Sequence, residues 1–234
     1  MPTVLVTGAN RGIGFGFVRA YLAEGWRVIA ACRRPDQAAA LKKLGSNRLD
    51  VRALDVSDHR SIEALAEALA GQPIDLLVNN AGIFGSASYE NGGPGQRFGD
   101  LDFAVFRRVY EVNALGVLKM VDAFAGHVAA SDQKKIVVIS SGMGSLASME
   151  PGFMAYRTSK TLVNALMRNL AQTLAQRGIS TLVLSPGWVK TDMGGPDAPL
   201  SVEASVAGLK EQIAAMTLNS NAAFKNHRGE TVPW

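Results

Sequence analysis

Two hydrophobic patterns alternate along the chain. Short, fully apolar and β-branched runs follow one another at regular intervals, and between them apolar residues recur three and four positions apart. The first pattern predicts strands buried on both faces, and the second predicts amphipathic helices. Strands are expected at residues 3–6, 27–31, 51–54, 74–78, 135–140, 179–184 and 222–225, and helices from about residue 14, at 38–44, from residue 57, and at 101–124, 154–177 and 201–216.

This alternation of strand and helix is typical of repeated βαβ units. It predicts an α/β protein of the Rossmann type, with a doubly wound, seven-stranded parallel sheet and helices on both faces. The chain has 234 residues, of which 47% are hydrophobic and 19% charged, with no repeat or long linker, so we expect one domain over residues 1–234. Residues 85–99 are rich in glycine and are expected to form a loop. Ser57 is expected to cap the helix that follows it.

Charge and cysteine content narrow the function classes. The net charge is +4, but the basic residues are scattered, which favours small anionic ligands over nucleic acid. Cys32 is the only cysteine, so an internal disulfide cannot form. His59, His127 and His227 are isolated in the sequence, and no metal site is expected. The chain shows neither a secretory leader nor an apolar run long enough to cross a bilayer, so we expect a cytoplasmic protein without membrane contact.

A glycine-rich turn separates the first predicted strand from the first predicted helix. Glycines allow the backbone to approach an anion closely, and the beginning of a helix directs unpaired N–H groups at it. The turn therefore predicts a phosphate site, although its spacing differs from the common G-x-G-x-x-G fingerprint. It consists of Gly8, Ala9, Asn10, Arg11, Gly12, Ile13 and Gly14.

The end of the second predicted strand indicates which dinucleotide is preferred. An acidic residue there would bind the ribose 2′-hydroxyl of NAD, whereas arginine accommodates the 2′-phosphate of NADP. This chain has Cys32, Arg33 and Arg34 at that point, with Arg11 in the glycine turn. The pattern favours NADP(H), and a solvated basic loop is the alternative interpretation.

Tyr156 and Lys160 are four residues apart in a predicted helix. Side chains with this spacing lie on the same helical face, so the ammonium could lower the pKa of the phenol and prepare it for proton transfer. Ser140 and Ser141 end a predicted strand, where a hydroxyl is placed for chemistry. Asn113 interrupts a predicted helix, where asparagine is unfavourable.

Together these motifs resemble those of the short-chain dehydrogenases/reductases, in order and in rough spacing. The motifs are Thr7-Gly8-x-x-x-Gly12-x-Gly14, Asp55-Val56, Asn79-Asn80-Ala81-Gly82, Asn113, Ser141, Tyr156-x-x-x-Lys160 and Pro186-Gly187-x-Val189-x-Thr191. The segment after Pro186 also resembles sniffer-type carbonyl reductases and bacterial C-factor proteins.

The resemblance implies a catalytic tetrad of Asn113, Ser141, Tyr156 and Lys160. Tyr156 would transfer a proton, Ser141 would hold the substrate oxygen, Lys160 would lower the pKa of Tyr156 and hold the nicotinamide ribose, and Asn113 would hold a water. The stretch between Ser141 and Tyr156 is longer than in most members, which is expected to enlarge the loop at residues 142–152. Ser140 is the alternative to Ser141, and Ser145 is less favoured because it lies farther from the strand end. The implied cofactor site comprises Gly8, Asn10, Arg11, Gly12, Ile13, Gly14, Arg33, Asp55, Val56, Asn79, Ala81, Gly82, Tyr156, Lys160, Pro186, Gly187, Val189 and Thr191.

The implied activity is the NADPH-dependent reduction of a ketone, aldehyde or quinone. Apolar residues suited to such a substrate pocket are Ile83, Phe84, Met143, Phe153, Trp188 and Met193. The alternative is an NADP-binding signalling or regulatory protein of the C-factor type, with little or no turnover. Relatives pair through a second apolar face of the Tyr156 helix, formed here by Leu162, Ala165, Leu166 and Leu170, so a homodimer or homotetramer is expected.

Overall fold

A parallel sheet of seven strands forms the centre of the computed structural model, which describes residues 1–85 and 93–234. Its strands are β1 (Thr3–Thr7), β2 (Arg27–Cys32), β3 (Leu49–Ala53), β4 (Leu76–Asn79), β7 (Lys135–Ile139), β8 (Ser180–Ser185) and β9 (Ala223–Asn226), and a separate pair is formed by β5 (Gln96–Arg97) and β6 (Asp100–Leu101). The spatial order of the strands in the large sheet is β3-β2-β1-β4-β7-β8-β9. The predicted doubly wound Rossmann-type sheet is thereby confirmed.

Helices cover both faces of this sheet. They are α1 (Gly12–Ala23), α2 (Ala39–Lys42), α3 (His59–Ala68), α4 (Phe103–Tyr110), α5 (Gly116–Ala129), α6 (Met154–Gln176) and α7 (Val202–Ala214). On one face, α3, α5 and α6 bury a core that includes Phe124 and Met167. On the other face, α1 and α7 bury a core that includes Phe17 and Leu209. The central strands contribute side chains to both cores, which explains their continuous apolar runs.

The order of the strands creates a crevice. The chain runs outward from β1 to β2 and β3, returns to β4 on the other side of β1, and continues outward to β7, β8 and β9. Helices leave β1 and β4 on opposite faces of the sheet, so the loops at the carboxyl ends of these two strands separate. Ligands of doubly wound sheets bind at such a switch point.

Three local expectations need correction. The helix expected at 101–124 begins at Phe103 and contains a π-helical turn, Glu111–Leu115, before α5. The cap of α3 is Asp58, whose carboxylate accepts from the Arg60 N–H, whereas Ser57 bonds to Asp55. The expected loop 85–99 contains the short strand β5, and its residues 86–92 lie outside the described part of the chain.

Within residues 1–85 and 93–234, none of the helices combines the length and the apolar character that crossing a membrane requires.

Candidate active site

A cleft of about 490 Å³ opens at the switch point of the sheet. Most of the residues expected to hold a cofactor line it. They are Gly8, Asn10, Arg11, Gly12, Ile13, Arg33, Asp55, Val56, Ala81, Gly82, Tyr156, Lys160, Pro186 and Thr191. The lining of the same cleft also includes residues that were not among the expected cofactor-binding residues, among them Asn80 of the Asn79–Gly82 motif, Arg108 and Asp192.

The glycine turn packs tightly between β1 and β4. Gly8 has a φ of +65°, and a Cβ there would lie 2.9 Å from the Ala81 Cα. A Cβ on Gly14 would lie 2.3 Å from the Gly8 carbonyl oxygen, so Gly14 permits α1 to approach the strand end without itself lining the cleft. The backbone N–H groups at the start of α1 are thereby brought to the floor of the cleft, where they suit a phosphate.

Asn80, which sequence reasoning did not choose, fastens the two central strands. Its side-chain amide donates to the Thr7 carbonyl at 2.9 Å, and the Thr7 hydroxyl accepts from the backbone N–H groups of Asn80 and Ala81, each at 3.0 Å. Asn79 is 2% exposed, and its side-chain amide has no hydrogen-bond partner among the described residues. It does not line the cleft. The sequence signal for Asn80 was its membership of the motif Asn79-Asn80-Ala81-Gly82.

Basic side chains gather at the β2 end of the cleft. Arg33, Arg34 and Arg108 line it, and Arg11 forms an ion pair with Asp192 at 2.6 Å. Burial alone would raise the pKa of Asp55, but hydrogen bonds from Ser57 and the charges of Arg33 and Arg108 outweigh it, and the pKa is lowered. This end of the cleft therefore suits an anionic group.

Tyr156 and Lys160 lie on one face of the first turns of α6, at the inner end of the cleft. Tyr156 is 7% exposed and Lys160 5% exposed. The Lys160 Nζ lies 5.8 Å from the centroid of the Tyr156 ring and donates to the Ile139 carbonyl at 2.9 Å. Gly144 permits the turn after β7 to rest directly on α6, because a Cβ there would lie 2.7 Å from the Lys160 Cβ.

The two candidate serines have different surroundings. Ser141 hydrogen-bonds to the side chain of Tyr156, and its hydroxyl oxygen also accepts from the Met143 N–H at 3.2 Å. The Ser140 hydroxyl is 2% exposed and donates to the Asn164 Oδ1 at 2.6 Å, within the α6 interface. The geometry therefore favours Ser141 as the partner of Tyr156.

Asn113 lies in the π-helical turn, which explains how asparagine is accommodated within a helical segment. Its Oδ1 accepts from the Ile83 N–H, and its Nδ2 donates to the Ile83 carbonyl, each at 2.8 Å. A Cβ on Gly82 would lie 3.3 Å from the Asn113 Oδ1 and 3.5 Å from the Lys160 Nζ. Asn113 thus joins the π-helical turn to the loop after β4. Its Oδ1 and the Lys160 ammonium both lie beside Gly82.

Burial shifts the pKa values of Tyr156 and Lys160 at this inner end of the cleft. It raises the pKa of Tyr156, and the hydrogen bond with Ser141 opposes the shift without reversing it. Burial also lowers the pKa of Lys160 to about 8. The expected net lowering of the Tyr156 pKa is therefore wrong, because desolvation of the phenolate outweighs the stabilising contacts. A phenol with a raised pKa holds its proton at neutral pH, as a proton donor must.

The loop after β8 closes the opposite side of the cleft. Pro186, Thr191 and Met193 line it, whereas Gly187 and Val189 lie behind that lining. Gly187 has a φ of +82°, and a Cβ there would lie 3.0 Å from the His227 ring.

The apolar and aromatic side chains expected to form a substrate pocket differ in their surroundings. Ile83 lines the cleft together with Met193. The Phe84 ring is 6% exposed, and its centroid lies 4.4 Å from that of Tyr156 and 4.9 Å from that of Phe153. Trp188 is 48% exposed, and its indole N–H donates to the Gly194 carbonyl at 2.7 Å.

Metal ligands are not grouped in this site. Among the residues with described positions, histidine, cysteine, aspartate and glutamate do not form a cluster of three or more that could hold a metal ion.

Known proteins are similar to this chain in sequence and in architecture. The model of a family described as short chain dehydrogenase matches residues 2–199. The C-signal protein of Myxococcus xanthus is 35% identical over 174 residues, which cover 74% of this chain and 100% of that protein. The NADPH-bound carbonyl reductase from chicken fatty liver superposes with a TM-score of 0.90 at 34% identity, covering 100% of this chain and 99% of that one. The carbonyl reductase Sniffer of D. melanogaster superposes with a TM-score of 0.89 at 28% identity, covering 100% of both chains.

Proposed function

Because the chain belongs to the short-chain dehydrogenase family, we propose that it reduces the carbonyl group of a ketone, aldehyde or quinone with NADPH, and that Tyr156 is the general acid. The observation that carries this proposal is the contact of the Tyr156 side chain with Ser141 at the inner end of the cleft, beside Lys160. The NADPH-bound carbonyl reductase of similar fold supports the cofactor and the reaction type.

The cleft fits a dinucleotide phosphate. The glycine turn brings the beginning of α1 to its floor, and arginines line the end where the 2′-phosphate would bind. Arg33 and Arg34 would hold that phosphate, the N–H groups of Gly12 and Ile13 would hold the pyrophosphate, and Asp55 and Val56 would flank the adenine. When bound, NADPH would supply the hydride to the carbonyl carbon.

The remaining chemistry is assigned to side chains of this protein. Ser141 donates a hydrogen bond to the carbonyl oxygen, and Tyr156 gives its proton to the same oxygen as the carbon receives hydride. The O–H bond of the phenol breaks, the O–H bond of the alcohol forms, and the phenolate is left beside the Lys160 ammonium. The second lone pair of the Asn113 Oδ1 can hold a water that returns a proton to Tyr156. Positioned proton transfer of this kind typically contributes about 10²- to 10⁴-fold to the rate.

The decisive experiment is an NADPH oxidation assay over a panel of apolar and aromatic carbonyl compounds, with Tyr156→Phe as the matched variant. Phenylalanine keeps the ring packed against Phe84 and removes only the hydroxyl. We expect turnover by the parent and a loss of about 10²-fold or more in the variant, with NADPH binding retained. A variant that turns over like the parent would exclude Tyr156 as the acid.

The similarity to the C-signal protein favours one alternative, an NADP-binding protein that acts through a partner. Tight NADPH binding without oxidation by any carbonyl in the panel would support that alternative. Turnover that depends on Tyr156 would support the reductase.

A further inference from the structure

Gln96 is a buried polar residue that the catalytic motifs do not include. It belongs to the short strand β5 and is 1% exposed. Its strand pairs with β6, so its backbone is held in a two-stranded sheet outside the central one. Its side chain reaches inward from there to the loop after β4 and to the first turn of α6.

The Gln96 side-chain amide joins these two segments through two hydrogen bonds. Its Nε2 donates to the Phe84 carbonyl at 2.8 Å, and its Oε1 accepts from the Tyr156 backbone N–H at 2.9 Å. The orientation of the amide is fixed by chemistry, because a backbone carbonyl can only accept and a backbone N–H can only donate.

The first turn of α6 needs an external acceptor. The N-cap of α6 is Phe153, and a phenylalanine side chain has no atom that can accept a hydrogen bond. Tyr156 occupies the third helical position, whose N–H an N-cap serine or aspartate would otherwise bind. Gln96 supplies this acceptor from a distant segment, at the residue that carries the proposed acid.

The Nε2 of the Gln96 amide holds the backbone of Phe84, the aromatic neighbour of Tyr156. Phe84, whose carbonyl accepts from Gln96, packs its ring against that of Tyr156. The backbone beside it leaves room for the amide, since a Cβ on Gly85 would lie 2.4 Å from the Gln96 Nε2. A single side chain therefore restrains both the backbone of Tyr156 and the ring in contact with its phenol.

From these contacts we infer that Gln96 is a positioning residue that sets the place of the Tyr156 hydroxyl relative to Ser141, an inference that rests on the proposed function of Tyr156. Gln96→Met keeps the length and volume of the side chain and removes both hydrogen bonds. Because a shift of about 1 Å in a reacting group can cost about 10²-fold, we expect kcat to fall by about 10- to 100-fold. The dissociation constant of NADPH is expected to stay unchanged, because Gln96 does not line the cleft.

A matched control separates positioning from general stability. The Asn221 side chain also bridges two backbone segments, accepting from the Thr181 N–H at 2.8 Å and donating to the Ala171 carbonyl at 3.5 Å. These segments belong to β8 and to the C-terminal part of α6, outside the lining of the cleft. Asn221→Leu is expected to lower thermal stability and to leave kcat unchanged. Equal kcat for Gln96→Met and the parent would overturn the inference, and so would an equal loss of kcat in both variants.

A second measurement needs no variant. Amide hydrogen exchange in the parent protein should show the Tyr156 N–H protected, although it lies in the first turn, where helical amides have no acceptor within the helix. Exchange at the rate of a free amide would refute the Gln96 contact. Tyr156→Phe, assayed in parallel, tests the proposed function separately: if it turns over like the parent, the acid assignment fails, whereas the exchange result still decides the Gln96 contact.

Discussion

Lys160 offers a prediction in which stability and activity respond in opposite directions. Its ammonium is buried between α6, to which it belongs, and the end of β7, and burial lowers its pKa from 10.5 to about 8. Methionine has a similar length without the charge, so Lys160→Met removes the titrating group and keeps most of the packing. The variant therefore isolates the effect of a buried charge on the folded protein.

The sign of the effect follows from proton linkage. In the folded state Lys160 binds its proton less tightly than in the unfolded chain, so between the two pKa values the unfolded chain holds more protons. Stability contributed by Lys160 then rises with pH through that window. At about 1.4 kcal/mol for each pH unit, the interval between 10.5 and about 8 corresponds to about 3 kcal/mol.

The assay is urea denaturation of the parent and of Lys160→Met at several pH values from neutral to about 10.5, without cofactor. The free energy of unfolding of the parent minus that of the variant should be constant up to about pH 8 and then rise by about 3 kcal/mol in total. Groups common to both proteins cancel in this difference.

The variant should also separate stability from function. Near neutral pH, where the parent carries the buried charge, Lys160→Met is expected to be at least as stable as the parent and to have lost carbonyl reduction. The parent itself should lose activity as Lys160 deprotonates above about pH 8. A difference in unfolding free energy that does not change with pH would refute the reasoning, since it would mean that the Lys160 ammonium is solvated.

Three further variants test other parts of the site. Ser141→Ala should lower kcat by about 10²-fold or more, whereas Ser140→Ala should lower the unfolding free energy by about 1 kcal/mol and leave kcat nearly unchanged; the reverse pattern in steady-state kinetics would exchange their roles. Arg33→Ala should raise the dissociation constant of NADPH by about tenfold or more and affect NADH little, because only NADPH carries the 2′-phosphate, and equal titration curves would contradict the cofactor assignment. Gly116→Ala places a Cβ 2.3 Å from a backbone carbonyl after β3 and should destabilise by about 1–3 kcal/mol in urea denaturation, whereas Gly126→Ala, in open space on the same helix, should not.

The chain order of apolar runs was enough to predict the sheet and its class. Strands buried on both faces must be apolar throughout, and helices buried on one face must carry apolar residues every three to four positions. Both patterns can therefore be recognised within a short stretch of sequence. The positions of the glycine turn and of Arg33 and Arg34 could likewise be predicted, because these residues come directly after β1 and β2 in the sequence.

Contacts between distant segments could not be predicted in this way. The choice between Ser140 and Ser141 depends on how β7 packs against α6. The role of Asn80 depends on its hydrogen bond to Thr7, which is distant in the sequence. The bridging amide of Gln96 lies in a segment that the sequence indicated only as a loop.

The pKa values of Tyr156 and Lys160 also depend on tertiary structure. The spacing of Tyr156 and Lys160 correctly placed both side chains on one helical face, yet it suggested a phenol with a lowered pKa. Folding buries both groups, and desolvation raises the pKa of Tyr156 and lowers that of Lys160. Spacing along a helix determines which groups are neighbours, but burial depends on every segment packed around them, and burial shifts the pKa of each group toward its neutral form.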